Sequence, residues 1–279
     1  GTQKKEDLTG AISVVDMKEV NKLSASTLSH ALQGQVAGVD VTSFSGSPGS
    51  GITVRVRGIG TLNDSDPLFV VDGMMVGDIN FLNTGDIESV QVLKDASATA
   101  IYGSRGANGV IIITTKKGRA NQPVAVSYAG SVTASVKKKT IDVMNGDEYR
   151  KFITDMFGAG SKQVAALGKA NTDWQNEIYR TAWAQDHNVT VTGSVGNGTN
   201  SLPFRVSAGY TNNQGILKTS SFERYTAAVN LNPSLMNNHL NMNFNVKGMF
   251  AKNRFADGAA IGAAVSYDPT QSIYDYESP

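Results

Sequence analysis

In the second half of the chain, five stretches alternate apolar and polar residues with a period of two. Val124, Val126, Tyr128, Gly130, Val132, Ala134 and Val136 fall on one face, and Ala125, Ser127, Ala129, Ser131, Thr133 and Ser135 on the other. Leu240, Met242, Phe244, Val246, Gly248 and Phe250 repeat this against Asn241, Asn243, Asn245 and Lys247. The same alternation runs through Val189–Val195, Phe204–Tyr210 and Tyr225–Leu231. Successive side chains on a strand point to opposite faces, so each stretch has one apolar and one polar face. A strand that crosses a membrane needs ~9–11 residues and shows this dyad pattern between turn residues. The alternation therefore predicts transmembrane β-strands. The competing reading is a soluble, secreted β-rich binding or adhesion module, which buries its apolar faces between two sheets. One observable separates them: lipid takes the apolar face on the outside, whereas a sandwich hides it inside.

The first half has shorter elements. Ser26 is placed to cap a helix carrying Leu28, Ala31, Leu32 and Val36 on one face, with Gly38 beyond its end. Strands are expected at Val39–Thr42, Ile52–Val56, Leu68–Val71, Ile87–Leu93 and the β-branched run Val110–Thr115. Read as an up-and-down series, they place turn 44–51 and segment 73–83 on one side and turn 59–66 on the other. Asp95 is expected to cap a short helix ending at Gly103. Pro123 marks the boundary to the alternating half.

Residues 140–185 hold no alternating strand but two helix-like stretches, Gly146–Met156 and one around Trp174–Tyr179. They read as a structured loop between strands. If the short turns at Gly196–Asn200 and Pro233–His239 lie on the inner side, then 140–185, 212–221 and 253 onward all lie outside. Five strands leave open edges that lipid does not tolerate, so either they are a portion of a larger barrel or the membrane reading fails.

Composition narrows the chemistry. Lys and Arg number 25 against 24 Asp and Glu, with no basic stripe, which argues against nucleic acid as a partner. Cysteine is absent, so disulfides and thiolate metal sites are excluded. The histidines, His30, His187 and His239, are far apart, and no zinc-protease or serine-hydrolase motif occurs. Asn63, Asp64 and Asp66 lack the glutamate of a calcium loop and read as a turn. No enzyme activity, cofactor or metal is expected.

Three segments carry a resemblance. Val54–Gly58 (VRVRG), Leu68–Gly73 (LFVVDG) and the long run Ile87–Gly118 resemble the plug domain of TonB-dependent outer-membrane transporters, the last the SusC/RagA-like branch of Bacteroidetes in particular. Residues 173–227 resemble the start of that branch's barrel. The resemblance implies an α+β plug domain followed by antiparallel transmembrane β-strands, an incomplete portion of a large outer-membrane β-barrel. On this reading residues 1–10 are expected to be a flexible segment following the Ton box region, 11–120 the plug, and 121–279 the first five or so strands with external loop 140–185. It further implies energised import across the outer membrane of a Gram-negative bacterium. The partners are TonB, through the segment preceding residue 10, a SusD-like surface lipoprotein as lid, outer-membrane lipid, and a glycan or peptide substrate. A siderophore or cobalamin receptor is the alternative within the family.

Candidate sites follow from the same resemblance. Arg55 and Arg57 share a strand face and are expected to dock the plug against wall carboxylates. Phe44, Ser45, Ser47, Met74, Met75, Asp78 and Asn80 are the plug's substrate-facing loop residues. Trp174, Tyr179 and Trp183 are external-loop aromatics suited to stacking on sugars or to a membrane girdle. A plug that must move is expected to meet its wall through polar contacts.

Overall fold

A computed structural model describes residues 12–15, 17, 28–56, 65–95, 99–197 and 200–274. Residues 1–10, the Ser26 cap, Arg57 and the Asn63–Asp64 turn lie outside them.

The first half is a mixed sheet packed on a hairpin. Strands β1 (Ile12–Val15), β4 (Leu68–Val71), β5 (Met74–Val76), β6 (Ile87–Leu93) and β7 (Val110–Thr115) pair in the order β1-β6-β7-β4-β5. A separate hairpin joins β2 (Val39–Ser43) to β3 (Ile52–Val56). The expected up-and-down series is corrected here. β4 and β7 run parallel, because β5, the 79–86 segment and β6 intervene and return the chain to the same end. Segment 73–83 also contains β5, which the sequence reading took for loop. Asp72 and Gly73, at φ 50° and 87°, form the two-residue turn that makes this hairpin.

One face of the sheet buries Val71, Ile87, Val90, Val92, Ile111 and Ile113 against Val41, Val54 and Val56 of the hairpin and Leu28 and Leu32. Leu28 begins the short helix α1 (Leu28–Ala31), and Gly38, at φ 75°, turns the chain into β2. Val70, Leu93 and Val110 form a smaller cluster on the other face with Tyr102. A 3₁₀ stretch, Ala100–Gly106, runs past Gly103, whose φ of 60° kinks it where a stop was expected.

The second half is a wall of long antiparallel strands: β8 (Ala125–Ser135), β9 (Ala182–Asn197), β10 (Asn200–Gln214), β11 (Ser221–Leu231) and β14 (Phe244–Arg254). A small hairpin, β12 (Ser234–Leu235) and β13 (Leu240–Asn241), closes the β11–β14 turn. Outside the opposite ends lie α2 (Gly146–Phe157), α3 (Lys162–Ala165), α4 (Trp174–Ile178) and α5 (Ala259–Ser266). Asn145 and Glu148 form a capping box on α2. β9 begins seven residues earlier than the alternation suggested, at Ala182, because Gln185 and His187 interrupt the apolar face without ending the pairing.

The alternation settles into opposite environments. Asn188, Thr190, Ser207, Thr211, Arg224 and Asn230 are buried on the face toward the first-half sheet. Val126, Val189, Val206, Val229 and Val246 are exposed on the other face. Pairing sets Val126, Val191, Val206, Val229 and Val246 in one row across all five strands. This is the reverse of a sandwich, so the soluble-module reading is not favoured. Among the described residues no helix is long and apolar enough to cross a membrane, which says nothing of crossing by strands.

Candidate functional site: the seam between plug and wall

The inner face of the wall meets the first-half sheet through polar groups, and two carboxylates anchor the contact. The first is Asp86. Residues Thr84–Asp86 form a 3₁₀ turn capped by Asn83, whose side chain accepts from Gly85 N at 2.8 Å. That turn aims Asp86 at β10. Arg205 Nη2 donates to Asp86 Oδ1 at 2.7 Å and Ser207 Oγ donates to Oδ2 at 2.6 Å. The ion-paired side chains are only 12% and 10% exposed. Lys116 seals the turn from behind: its backbone N–H donates to Asp86 O at 2.8 Å and its Nζ to Gly85 O at 2.7 Å.

The second anchor is Asp72, in the β4–β5 turn. Thr115 donates to it twice, from N at 2.8 Å and Oγ1 at 2.7 Å. From β14, Lys247 Nζ and Asn245 Nδ2 each donate to Asp72 Oδ2 at 2.6 Å. The Lys247 and Asp72 side chains are 10% and 6% exposed. Burial alone raises the Asp72 pKa, but the hydrogen bonds from Lys247 and Thr115 and the Lys247 charge outweigh it. The carboxyl is held below its ordinary range. Lys116 is shifted down, first by burial and then by the Arg205 charge, with Asp86 and Glu88 pulling the other way.

Further polar contacts lie toward the long-loop end of the wall. Arg224 Nη1 donates to Asn80 O at 3.1 Å, and Asn253 Nδ2 to Gly49 O at 3.0 Å. Glycine permits close approach: a Cβ on Gly209 of β10 would lie 2.6 Å from Asn83 Nδ2. Near the opposite end, a Cβ on Gly118 would meet the Phe204 backbone at 2.5 Å, so the exit from β7 runs tight against β10.

The candidate residues are dispersed. Arg55 Nε donates to Ser65 Oγ of the plug itself at 3.1 Å. The docking charges found at this wall run the other way, with plug carboxylates meeting wall cations. The expected substrate-facing set divides. Phe44, 77% exposed, lies in the turn whose Pro48 and Gly49 approach Gly215, Phe222 and Asn253, at the long-loop end. Ser45 and Ser47 shape that turn, Ser45 Oγ accepting from Ser47 N. Asp78 accepts from Asn80 N, and Asn80 faces Arg224. Met74 and Met75, exposed, follow the Asp72 turn instead. That turn meets the wall at the level of Ala228 and Asn230, four to six positions along β11 from Arg224, roughly 13–20 Å away. Segment 73–83 thus climbs the wall rather than facing one side.

The three aromatics also part. Trp174 packs edge-on against Tyr267, centroids 5.1 Å apart, and its Nε1 donates to Asp268 O. Tyr179 pairs with Leu217, and Lys137 Nζ lies 6.0 Å from its ring centroid. Trp183 is on β9 rather than in the loop. On the wall's outer face the aromatic row is instead His187, Tyr210, Tyr225 and Phe250, in register across four strands. The sequence reading missed Asp72 and Asp86; the signal was an Asp-Gly turn after a buried strand and an Asp directly before one. Among the described residues no group of three or more His, Cys, Asp or Glu could hold a metal ion.

Comparison with known proteins accounts for this arrangement. The profile of the TonB-dependent Receptor Plug Domain matches residues 4–110. TonB-dependent receptor SusC of Bacteroides thetaiotaomicron is 49% identical over 290 residues, covering 100% of this chain and 28% of the relative. TonB-dependent receptor P26 of Formosa agariphila is 36% identical over 99% of the chain and 28% of the relative. The RagAB peptide importer in its closed-closed state superposes with a TM-score of 0.75 at 30% identity, covering 90% of this chain and 32% of that chain. The unliganded ferric citrate transporter FecA shares the fold alone, at TM-score 0.59 and 14% identity over 89% of this chain and 32% of that chain. The chain thus spans little more than a quarter of the curated relatives' length, and those relatives are receptors, not enzymes. With a plug sheet, a wall that turns its polar face to it and relatives of that one kind, the chain belongs to the SusC/RagA-like branch of the TonB-dependent receptors.

Proposed function

We propose that this chain is the gate and the adjoining wall of an energised outer-membrane importer, residues 11–120 forming the gate and 121–279 the wall. The observation that carries the reading is the inverted wall, apolar toward the outside and polar toward a plug held by two buried ion pairs. Lipid explains the first face, and a seam that must open explains the second. Import needs no covalent chemistry. TonB pulls on the segment ahead of residue 10, the seam yields, and substrate passes.

The substrate class is an oligosaccharide or a peptide; the RagAB likeness is to a peptide importer, which supports the second. A SusD-like surface lipoprotein covers the outer end, where α2–α5 cluster. There the Phe44 turn gives the plug's share of substrate contact, its ring exposed beside the long loops.

The test is a tether. This chain has no cysteine, and Asn83 and Gly209 face each other across the seam. In the transporter that carries this chain, Asn83→Cys with Gly209→Cys should lose uptake when oxidised and regain it with reductant. Uptake that persists with the disulfide formed overturns the gating role.

A further inference from the structure

The two anchors stand on β10 and β14, and β11 lies between them. Register places Asn230 of β11 directly between Arg205 and Asn245. Asn230 is 4% exposed. Among the described residues neither its Oδ1 nor its Nδ2 has a partner, and Asn245 Oδ1 has none either. Burying an amide without partners costs about 1–3 kcal/mol, so native structures rarely leave one so. Beside these atoms is a cavity with about 10 Å³ open to the centre of a water molecule. Its lining includes Asp86, Lys116, Arg205, Asn230, Asn245 and Lys247. That room suits one water, whose centre needs about 10–15 Å³, and is too small for a hydrated ion or a substrate group.

We propose that the seam contains a binding site for a single structural water, shared by Asn230 and Asn245. The water donates one proton to each Oδ1 and accepts from an ammonium, since Lys116 and Lys247 each have donors left over beyond Gly85 O and Asp72 Oδ2. Asn245 Nδ2 is already committed to Asp72. A continuous polar path thus runs from Asp72 through Asn245 and the water to Asn230, alongside the Asp86–Arg205 pair. Because a water-mediated bond is nearly as good as a direct one, both amide oxygens are satisfied when the seam is closed, and the bridge re-forms with bulk water as it opens.

The proposal rests on the plug–wall geometry alone, and its readouts involve neither TonB nor uptake, so its failure is distinct from failure of the gating role. The first readout is a structure of the detergent-solubilised transporter at a resolution that shows ordered water. One density peak within hydrogen-bond distance of both amides is expected. The second is hydrogen exchange in Asn230→Leu, which fills the same volume without polar atoms. If the parent holds the water, the variant removes one of its two acceptors and breaks the bridge, so amides around Thr115 should exchange about tenfold faster. Without it, the variant relieves an orphaned amide and exchange slows. An absent peak, or slower exchange in Asn230→Leu, overturns the proposal.

Discussion

Truncating Asp86 is the sharpest perturbation of the seam. Its carboxylate accepts from Arg205 at 2.7 Å and from Ser207 at 2.6 Å. With the paired side chains 12% and 10% exposed, solvent screens little of the interaction. Among the described residues, Asp86→Ala leaves the guanidinium inside the seam with the Thr190 Oγ1 contact, at 3.2 Å. Removing one partner of a buried pair costs about 3–5 kcal/mol, mostly from the charge left behind. At about 1.4 kcal/mol per decade, the seam should open roughly 10²- to 4 × 10³-fold more often. The assay is hydrogen exchange of residues 84–95 and 110–116 in the purified transporter, where exchange reports local opening. The companion is Asp86→Leu with Arg205→Met, which removes both charges and should recover most of the protection. Protection in Asp86→Ala that matches the parent protein, or a double variant as exposed as the single one, would refute the account of Asp86 as an anchor.

Other outcomes follow from the same geometry. Asp72 has a native pKa below its unfolded value of 3.8, so its contribution is fully present above about pH 3.8 and is lost as pH falls through the native value. Protection of residues 68–76 should therefore hold from neutral pH to about 4 and drop only below it, a drop absent in Asp72→Asn. Val206→Arg, in the middle row of the outer face, should cost about 2–4 kcal/mol of barrel stability measured by denaturant unfolding in bilayers. Gly209→Val should push Asn83 off the wall and cost about 1–3 kcal/mol of local plug stability, read by exchange at residues 83–86. Asn145→Ala removes the capping box of α2 and should cost that helix about 0.5–2 kcal/mol, visible as faster exchange in its first turn without change at the seam.

The strands were legible because each obeys a local rule. Leu68–Val71 and Val110–Thr115 are short β-branched or apolar runs, Ile52–Val56 and Ile87–Leu93 mix apolar with polar residues between turn signals, and the bounds of all four agree with the structure. The wall strands declared themselves by dyad alternation, and the direction of each face followed once the plug was in view. What failed was non-local. The parallel pairing of β4 with β7 depends on a return through β5 and β6 that no neighbouring residues encode. β5 is three residues long and carries Met74 and Met75, too few for an alternating signal. Helix α5 is uniformly apolar over Ala259–Val265, without the amphipathic period that would have marked it. The seam was hardest to read, because Asp72 and Asp86 look like ordinary turn and cap residues until β14 and β10 stand beside them.

The two anchors do not act independently, because both are tied to the same end of β7. Asp72 grips Thr115 through its carboxylate, and Asp86 holds Lys116 through its backbone carbonyl. Just beyond, Gly118 passes against the Phe204 backbone on the way to β8. The covalent link between plug and wall therefore sits beside the strongest non-covalent ones. A pull that enters at β1 must travel across β6 before it reaches β7, since among the described residues β1 pairs with β6 alone. The edge strand can leave first, with its four-residue pairing, while both ion pairs remain. Moving the Thr115–Lys116 end disturbs both carboxylates at once, so the second stage of opening should be cooperative. Coupling between Asp72→Asn and Asp86→Asn measures this. If the anchors share one element, the cost of the double variant should depart from the sum of the singles, because both hold the same end of β7 to the wall. Strict additivity would mean that the anchors open separately and that β7 does not transmit between them.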